Sequence, residues 1–364
     1  MGERGSTLQG DSSRSPAALP RVETPRTDGG CYIVNRMDGD IMSPATSRGA
    51  FHMYASQFQT ENSFSVFGWD GPFTDSQGYH HHLLTHDCFL ITEGAMLVYC
   101  DGESRMLYPG DFASVPPGYV HKPTPQGPIT RAVPLISPAD WVDFFRDRTV
   151  PFDNVMFPEF QGEERKGTMA EVLGEDWKEK YDTYPDVVEN VSEPAAWSKK
   201  DAVIPNETKP YFLKFNTGPR WVLGGVTSRP FITTKQSANK FSISSIEASS
   251  VFGPTVLSRK ITFPKIHHVF IILDGWMDVS INNEAPVRAF AGEVVFLAAN
   301  TTFSISFENK YVRFWSYTSG DGIEALIQEA GETIAGAALP DKAPDVDEKK
   351  LRAVAEKLGI RIDE

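Results

Sequence analysis

From Cys31 to about Ala139 the chain is a succession of short runs in which apolar side chains alternate with polar ones or stand together. FHMYASQF, SFSVFG, CFLITEG, AMLVYCDG and DFASVPPG are separated by Gly, Pro, Asn or Asp every eight to twelve residues. Strands that short, with turn residues at that spacing, predict an antiparallel sandwich or barrel. PADWVDFFRD (138–147) breaks the rhythm. Its Trp141, Phe144 and Phe145 fall three and four apart behind a Pro-Ala-Asp start, which predicts a helix closing the first unit. Residues 150–210 are less apolar. They predict a connector packed on the outside, with a short helix over GTMAEVLGEDWKEKY.

Strand-like runs return at YFLKF and WVLGGV and continue through FSISSIEASSVFG, HHVFIILDG, MDVSINN, EVVFLAA, FSISFEN and YVRFWSY. A second closing helix is predicted over GIEALIQEAG. A terminal helix follows, because Leu351, Val354, Ala355 and Leu358 make one apolar stripe. The halves read as copies. ITEGAMLVYCDGESRMLYPGDFASVPPG lies over ILDGWMDVSINNEAPVRAFAGEVVFLAA, with Gly94 opposite Gly275 and Gly110 opposite Gly292. The predicted class is therefore all-β, two small antiparallel barrels with flanking helices. The expected boundaries are a disordered tail at 1–28, a first barrel at 29–148, a linker at 149–210, a second barrel at 211–335 and a terminal helix at 336–364.

Composition narrows the function classes. A length of 364 residues gives ample chain for two cores, and 40% hydrophobic with 23% charged residues is ordinary for a globular protein. The formal charge of −13, with no basic stripe, repels phosphate backbones and anionic membranes, so neither nucleic acid nor a membrane is an expected partner. Cys31, Cys88 and Cys100 are an odd number without CxxC spacing, which argues against a disulfide framework and for a reducing compartment. The start MGERGSTLQGDSSRSPAALP has no apolar core of a signal peptide, and no run is long and apolar enough for a spanning helix. A cytoplasmic protein is expected. MGERGS is read as polar tail rather than an acylation signal, and the Asn190 and Asn206 triplets as unused.

The histidines carry the candidate chemistry. Seven of eight lie in corresponding stretches of the two copies: His80, His81, His82, His86 and His121, then His267 and His268. In YHHHLLTHD, His80 and His82 are two apart, so a strand puts both imidazoles on one face and His81 on the other. Asp87 follows five residues after His82. His121 follows a turn forced by Pro116, Pro117 and Gly118. Three imidazoles and one carboxylate converging inside a small barrel suit one borderline divalent ion with open positions for substrate or oxygen. Fe, Cu, Mn, Ni and Zn all accept such donors. His81 and His86 read as outward-facing or supporting imidazoles.

These residues resemble the cupin motifs. HxH, a carboxylate after a short spacer, then six residues and Gly94 match the first. Gly110, Pro116, Gly118 and His121 match G-x5-P-x-G-x2-H, with Pro125 where the pattern has Asn. As a pair of such modules the chain from about residue 30 to 335 resembles the bicupin quercetin 2,3-dioxygenases. The resemblance implies metal ligation by His80, His82, Asp87 and His121. It also implies that Asp87 takes the substrate's hydroxyl proton as a general base. Asp87 stands where the pattern has Glu, one methylene shorter, so ligand and supporting base both remain open. In the second copy Ile261, Phe263, His268 and Phe303 stand opposite the four donors, so that barrel holds no metal and His268 is a core or pocket histidine.

Tyr54, Phe64, Phe67, Trp69, Phe73 and Phe89 are expected around the first barrel's opening, with Tyr54, Phe67 and Phe89 as substrate-binding side chains. An apolar cup holding one metal suits a flat polyphenol. The leading expectation is a dioxygenase that cleaves a ring of a flavonol-like or polyketide-type phenolic compound with O₂. The alternatives are a redox-neutral cupin (isomerase, cyclase or decarboxylase) and a non-catalytic bicupin that binds a small phenolic ligand. The expected partners are a small phenolic substrate and O₂, with a homodimer left open.

Overall fold

In the computed structural model residues 19–44, 49–71, 78–152, 177–189 and 193–363 are described. Phe73, the start of the predicted connector helix, Asn190 and the MGERGS start lie outside the described residues. The chain forms two β-barrels with few helices, as the sequence predicts.

The first barrel is built on one long strand, His86–Cys100, rather than the two that CFLITEG and AMLVYCDG suggest. Gly94 sits inside it at φ +72°, where a Cβ would come within 2.2 Å of the Ile129 carbonyl oxygen. Only glycine lets the strand pass so close to its neighbour. His86–Cys100 pairs with His121–Ala132, Leu135–Ser137, Glu103–Leu107 and Phe112–Val115. Ser65–Gly71 pairs with both Leu135–Ser137 and the end of His121–Ala132, which run as one interrupted strand between it and His86–Cys100. Both faces of the long strand's first part, His86–Ile91, are buried. Phe89 and Ile91 point into the barrel with Phe51, Phe67, Trp69 and Phe145, whereas Cys88 and Leu90 point between the barrels.

The second barrel repeats the plan. Val312–Thr318 and Glu293–Leu297 flank His268–Asp274, and a smaller sheet carries Trp276–Ile281, Thr302–Ser306 and Ile261–Thr262. Gly275 has φ +72°, like Gly94, and Gly110 and Gly292 share φ +88°. Gly110 N–H donates to Ile91 and Gly292 N–H to Ile272, again corresponding positions. Closing helices stand at Ala139–Arg148, whose first turn is 3₁₀, and at Ile323–Ala330, and the terminal helix spans Glu348–Leu358.

The barrels are interleaved at their edges. Tyr32–Asn35, expected in the first barrel, pairs with Glu293–Leu297 of the second. Tyr211–Leu213, expected in the second, pairs with Phe112–Val115 of the first. Residues 19–28, read from sequence as tail, are ordered: Leu19 is buried and Arg21–Val22 pairs with Ile33–Val34. Burial of an apolar side chain and a two-residue ladder on an existing sheet offset the ordering entropy that the isolated segment could not. Between the barrels Tyr32, Tyr54, Phe112, Phe231, Phe296 and Tyr317 form a third apolar cluster. Tyr317 crosses it to donate to the Val133 carbonyl at 3.0 Å. The three cysteines are buried and unpaired with one another. No helix among the described residues is long and apolar enough to cross a membrane.

Candidate metal centre

His80 opens the two-residue strand His80–His81, which pairs with His121–Ala132, His80 lying opposite His121, and His82 follows directly. Their two-residue spacing puts both rings inward. Asp87 opens the inward-facing series Asp87, Phe89, Ile91 of the long strand. Gly118, at φ +88°, donates to the His82 carbonyl at 2.6 Å, and so ties the Pro-Pro-Gly turn before His121 to the HxH strand. All four side chains are buried, and one donor atom from each lies within 4.8 Å of the others.

The tautomers are set from outside the cluster. His80 Nδ1 faces the Gly78 carbonyl at 3.0 Å, His121 Nδ1 that of Tyr119 at 3.1 Å, and His82 Nδ1 that of Asp182 at 2.5 Å. A carbonyl only accepts, so each Nδ1 carries the hydrogen and each Nε2 is left with its lone pair toward the centre. Asp87 Oδ2 lies 3.0 Å from His121 Nε2 and 3.4 Å from His82 Nε2. His82 Nε2 and Asp87 Oδ1 are buried without a hydrogen-bond partner.

Such orphaned atoms are costly unless something satisfies them. A divalent ion with bonds of about 2.1 Å holds neighbouring donors roughly 3 to 3.5 Å apart, the spacing seen around Asp87. The four residues therefore fit a metal ion in donor type, tautomer and separation. Asp87 reaches the cluster despite its shorter arm.

Charge agrees. Burial, with His121 and His82 adjacent, holds the His80 imidazole well below its usual pKa and neutral, as ligation requires. Burial opposes ionisation of Asp87, but His82 and His121 outweigh it and hold the carboxyl well below the usual carboxylate range. Burial likewise disfavours charging His82, yet Asp87 beside it raises its pKa.

Aromatic side chains supply the surroundings. Phe89 stands 6.4 Å from the His121 ring and Trp141 5.5 Å from that of His82, ring centre to ring centre. Phe67 and Trp69 belong to the barrel interior, Phe67 packing on Phe51 and Phe145. Tyr54 does not join them. Phe51 and Met53 face the barrel interior, so the alternation of the strand puts Tyr54 on the other face. There its hydroxyl donates to the Arg36 carbonyl at 2.7 Å, and a Cβ on Gly68 would strike its oxygen. Phe64 also lies between the barrels.

His81 points outward and pairs with Asp186 at 2.5 Å, stacked on Tyr184. His86 faces the inter-barrel core, its Nε2 2.8 Å from Ser114 Oγ and its ring against Phe241, and burial lowers its pKa to about 3. Sequence reasoning missed Asp182 and Thr183. Both come from the connector, and Thr183 accepts from Trp141 Nε1 at 3.0 Å.

In the second barrel Ile261 lies opposite Phe303 in the ladder, as His80 lies opposite His121. The Phe263 and Phe303 rings close around His268, whose pKa burial lowers to about 3. Among the described residues no second group of three or more His, Cys, Asp or Glu side chains forms.

No protein-family model matches the chain. Quercetin 2,3-dioxygenase of Bacillus subtilis (strain 168) is 30% identical over 127 residues, 35% of this chain and 37% of that protein's length. Quercetin 2,3-dioxygenase of Aspergillus japonicus is 22% identical over 318 residues, 80% of this chain and 89% of the relative. Among solved structures, oxalate decarboxylase from Bacillus subtilis at pH 4.6 superimposes with a TM-score of 0.48 at 11% identity, covering 79% of this chain and 76% of that one. The Lactobacillus farciminis oxalate decarboxylase formate complex gives 0.49 at 13%, covering 79% and 86%. The chain folds as two β-barrels, and in sequence it is similar to the quercetin 2,3-dioxygenases.

Proposed function

We propose that this protein is a metal-dependent dioxygenase that opens a ring of a flavonol-like or polyketide-type phenolic compound with O₂. The observation that carries the reading is the buried cluster of three imidazoles and one carboxylate, each Nδ1 already committed to a backbone carbonyl. His80, His82 and His121 would hold the ion, with Asp87 as fourth donor or as base beside it. When bound, the ion acidifies a coordinated hydroxyl and gives dioxygen and substrate a common meeting point.

This chain's own residues do the rest. Asp87, ionised among imidazoles, accepts the proton of the substrate's hydroxyl at Oδ1 or Oδ2. A carboxylate so favoured in its charged form is a weak base, so it works only on a hydroxyl that has been acidified. Phe89 and Phe67 offer apolar surface to a flat ring, and Trp141, fixed through Thr183, backs the His82 imidazole. The relatives named quercetin 2,3-dioxygenase support a polyphenol as substrate class. The buried free cysteines suit a reducing compartment, and we place the protein in the cytoplasm.

The test is elemental analysis of protein purified without chelators, followed by oxygen-electrode assays over a panel of polyphenols. Stoichiometric O₂ uptake with loss of the phenolic chromophore supports the reading. Product formation without O₂ uptake replaces it with a redox-neutral isomerase, cyclase or decarboxylase, and tight binding without turnover replaces it with a ligand-binding bicupin.

A further inference from the structure

The duplication extends past the closing helices into the connector. In the second barrel the helix Glu348–Leu358 ends at Gly359, in the left-handed region at φ +69°, and two residues later Arg361–Ile362 pairs with Ile261–Thr262. In the first, the helix Trp177–Tyr181 is followed by Asp182, left-handed at φ +45°, and two residues later Tyr184–Pro185 pairs with His80–His81. Since Ile261 corresponds to His80, Asp182 and Gly359 occupy the same place. A glycine adopts that backbone freely, whereas an aspartate pays for it in conformational energy. The barrel without the histidine cluster has the comfortable residue. The barrel with the histidine cluster has the uncomfortable one.

What the aspartate does there is visible in its bonds. Its Oδ1 accepts from the Leu83 N–H at 2.8 Å, and its Oδ2 from the Leu84 N–H at 2.8 Å and from the Thr85 N–H and hydroxyl, each at 2.9 Å. Those three residues are the loop that joins His82 to the strand carrying Asp87, and Leu83 and Leu84 are exposed, so little else holds them. The Asp182 carbonyl in turn accepts from His82 Nδ1. One residue thus fixes the path between two donors with its side chain and the tautomer of one of them with its main chain.

We propose that Asp182 is a positioning residue of the metal centre, a clasp by which the connector holds His82 and the 83–85 loop in ligating geometry. The proposal rests on the reading of the four-residue cluster as a metal site. It concerns ion binding rather than turnover, because the clasp touches no reacting atom.

Asp182→Gly is the informative variant. It keeps the carbonyl and relaxes the backbone to the state that Gly359 already adopts, so it deletes only the carboxylate. Co(II) is the probe, titrated into the metal-free full-length chain and followed by its visible absorption. The dissociation constant should rise about 10- to 100-fold, the usual effect of removing a group that orients a ligand, and the band intensity should change with the geometry around His82. The melting temperature of the metal-free variant should stay within about 4 °C of the parent's. Asp182→Asn, which keeps an acceptor oxygen and tolerates the same backbone, should fall between parent and Asp182→Gly.

Affinity in Asp182→Gly within about twofold of the parent, in a parent that binds Co(II), overturns the clasp and leaves the metal site standing. A large drop in melting temperature in step with the loss of affinity also overturns it, since the residue is then a fold determinant only. A parent that does not bind Co(II) removes the metal-site reading and the clasp with it.

Discussion

Where the first barrel sets His80 against His121 across a strand pair, the second sets Ile261 against Phe303 on a ladder of the same register. Around this substitution the backbones match closely. Gly118 donates to the His82 carbonyl, and Asn300, also left-handed, donates to that of Phe263. Arg131 pairs with Glu93, and Arg313 with Asp274, at corresponding bulges. The comparison separates what the fold needs from what the site needs. Turn glycines, bulge ion pairs and closing helices occur in both barrels and serve the fold. The imidazoles, Asp87 and Asp182 occur in one and serve the cluster, whose interior the other fills with phenyl rings.

The largest expected contrast is in metal occupancy. His80→Ala or His121→Ala should leave the protein essentially without metal on elemental analysis, because two imidazoles hold a divalent ion poorly. His268→Ala, at the position equivalent to Asp87, and His81→Ala should both retain it. Full occupancy in His80→Ala would break the contrast between the barrels.

Asp87→Asn sharpens it. We expect most of the metal to remain on three imidazoles while turnover of a phenolic substrate falls roughly 10²- to 10⁴-fold, the worth of a positioned base. Occupancy and rate falling together would make Asp87 chiefly a ligand, and wild-type values for both would show that it is neither.

The converse experiment is Phe263→Ala. Phe263 is buried against Phe303 and His268, so the truncation should cost about 3–5 kcal/mol in denaturant unfolding while first-barrel metal content is unchanged. His82→Ala, at the equivalent position, should do the reverse: lose metal, with a smaller loss of metal-free stability, since a buried imidazole with an orphaned Nε2 contributes little.

The four cluster residues were legible because their information is local. HxH alternation fixes a face, and a Pro-Pro-Gly turn brings His121 beside it. The paired glycines were legible because positive φ leaves few choices. The edge exchange was not, since strands of three or four residues such as Tyr211–Leu213 carry no sign of which sheet will accept them. Tyr54 was misplaced because it was grouped with its aromatic neighbours, whereas alternation from Phe51 and Met53, which face the barrel, puts it on the opposite face. Asp182 was invisible for a different reason. It acts at a hundred residues' distance on backbone groups, and half of its role belongs to a carbonyl that any residue would supply.

The smallest expected effect tests the closing helices. Glu324, on the second barrel's, is buried and accepts from Thr318 Oγ1 at 2.6 Å and the Gly322 N–H at 2.8 Å, and burial raises its pKa to about 7. The corresponding positions of the first barrel's closing turn are Trp141 and Val142, and the acidic residues beside them, Asp140 and Asp143, are not buried. A carboxyl whose folded pKa exceeds its unfolded one binds more protons in the native state between the two values. Its stabilisation is complete below the unfolded value of 4.5 and is lost as pH rises through about 7. The gap corresponds to roughly 3 kcal/mol at full titration. The parent's unfolding free energy should therefore fall relative to that of Glu324→Gln between pH 5 and pH 8, because the amide keeps an acceptor for Thr318 and Gly322 but does not ionise, while the buried histidines contribute equally in both proteins. Identical pH slopes in the two proteins would show that Glu324 is charged throughout, and that the second barrel's helix is seated by an ion rather than by a neutral hydrogen-bonded carboxyl.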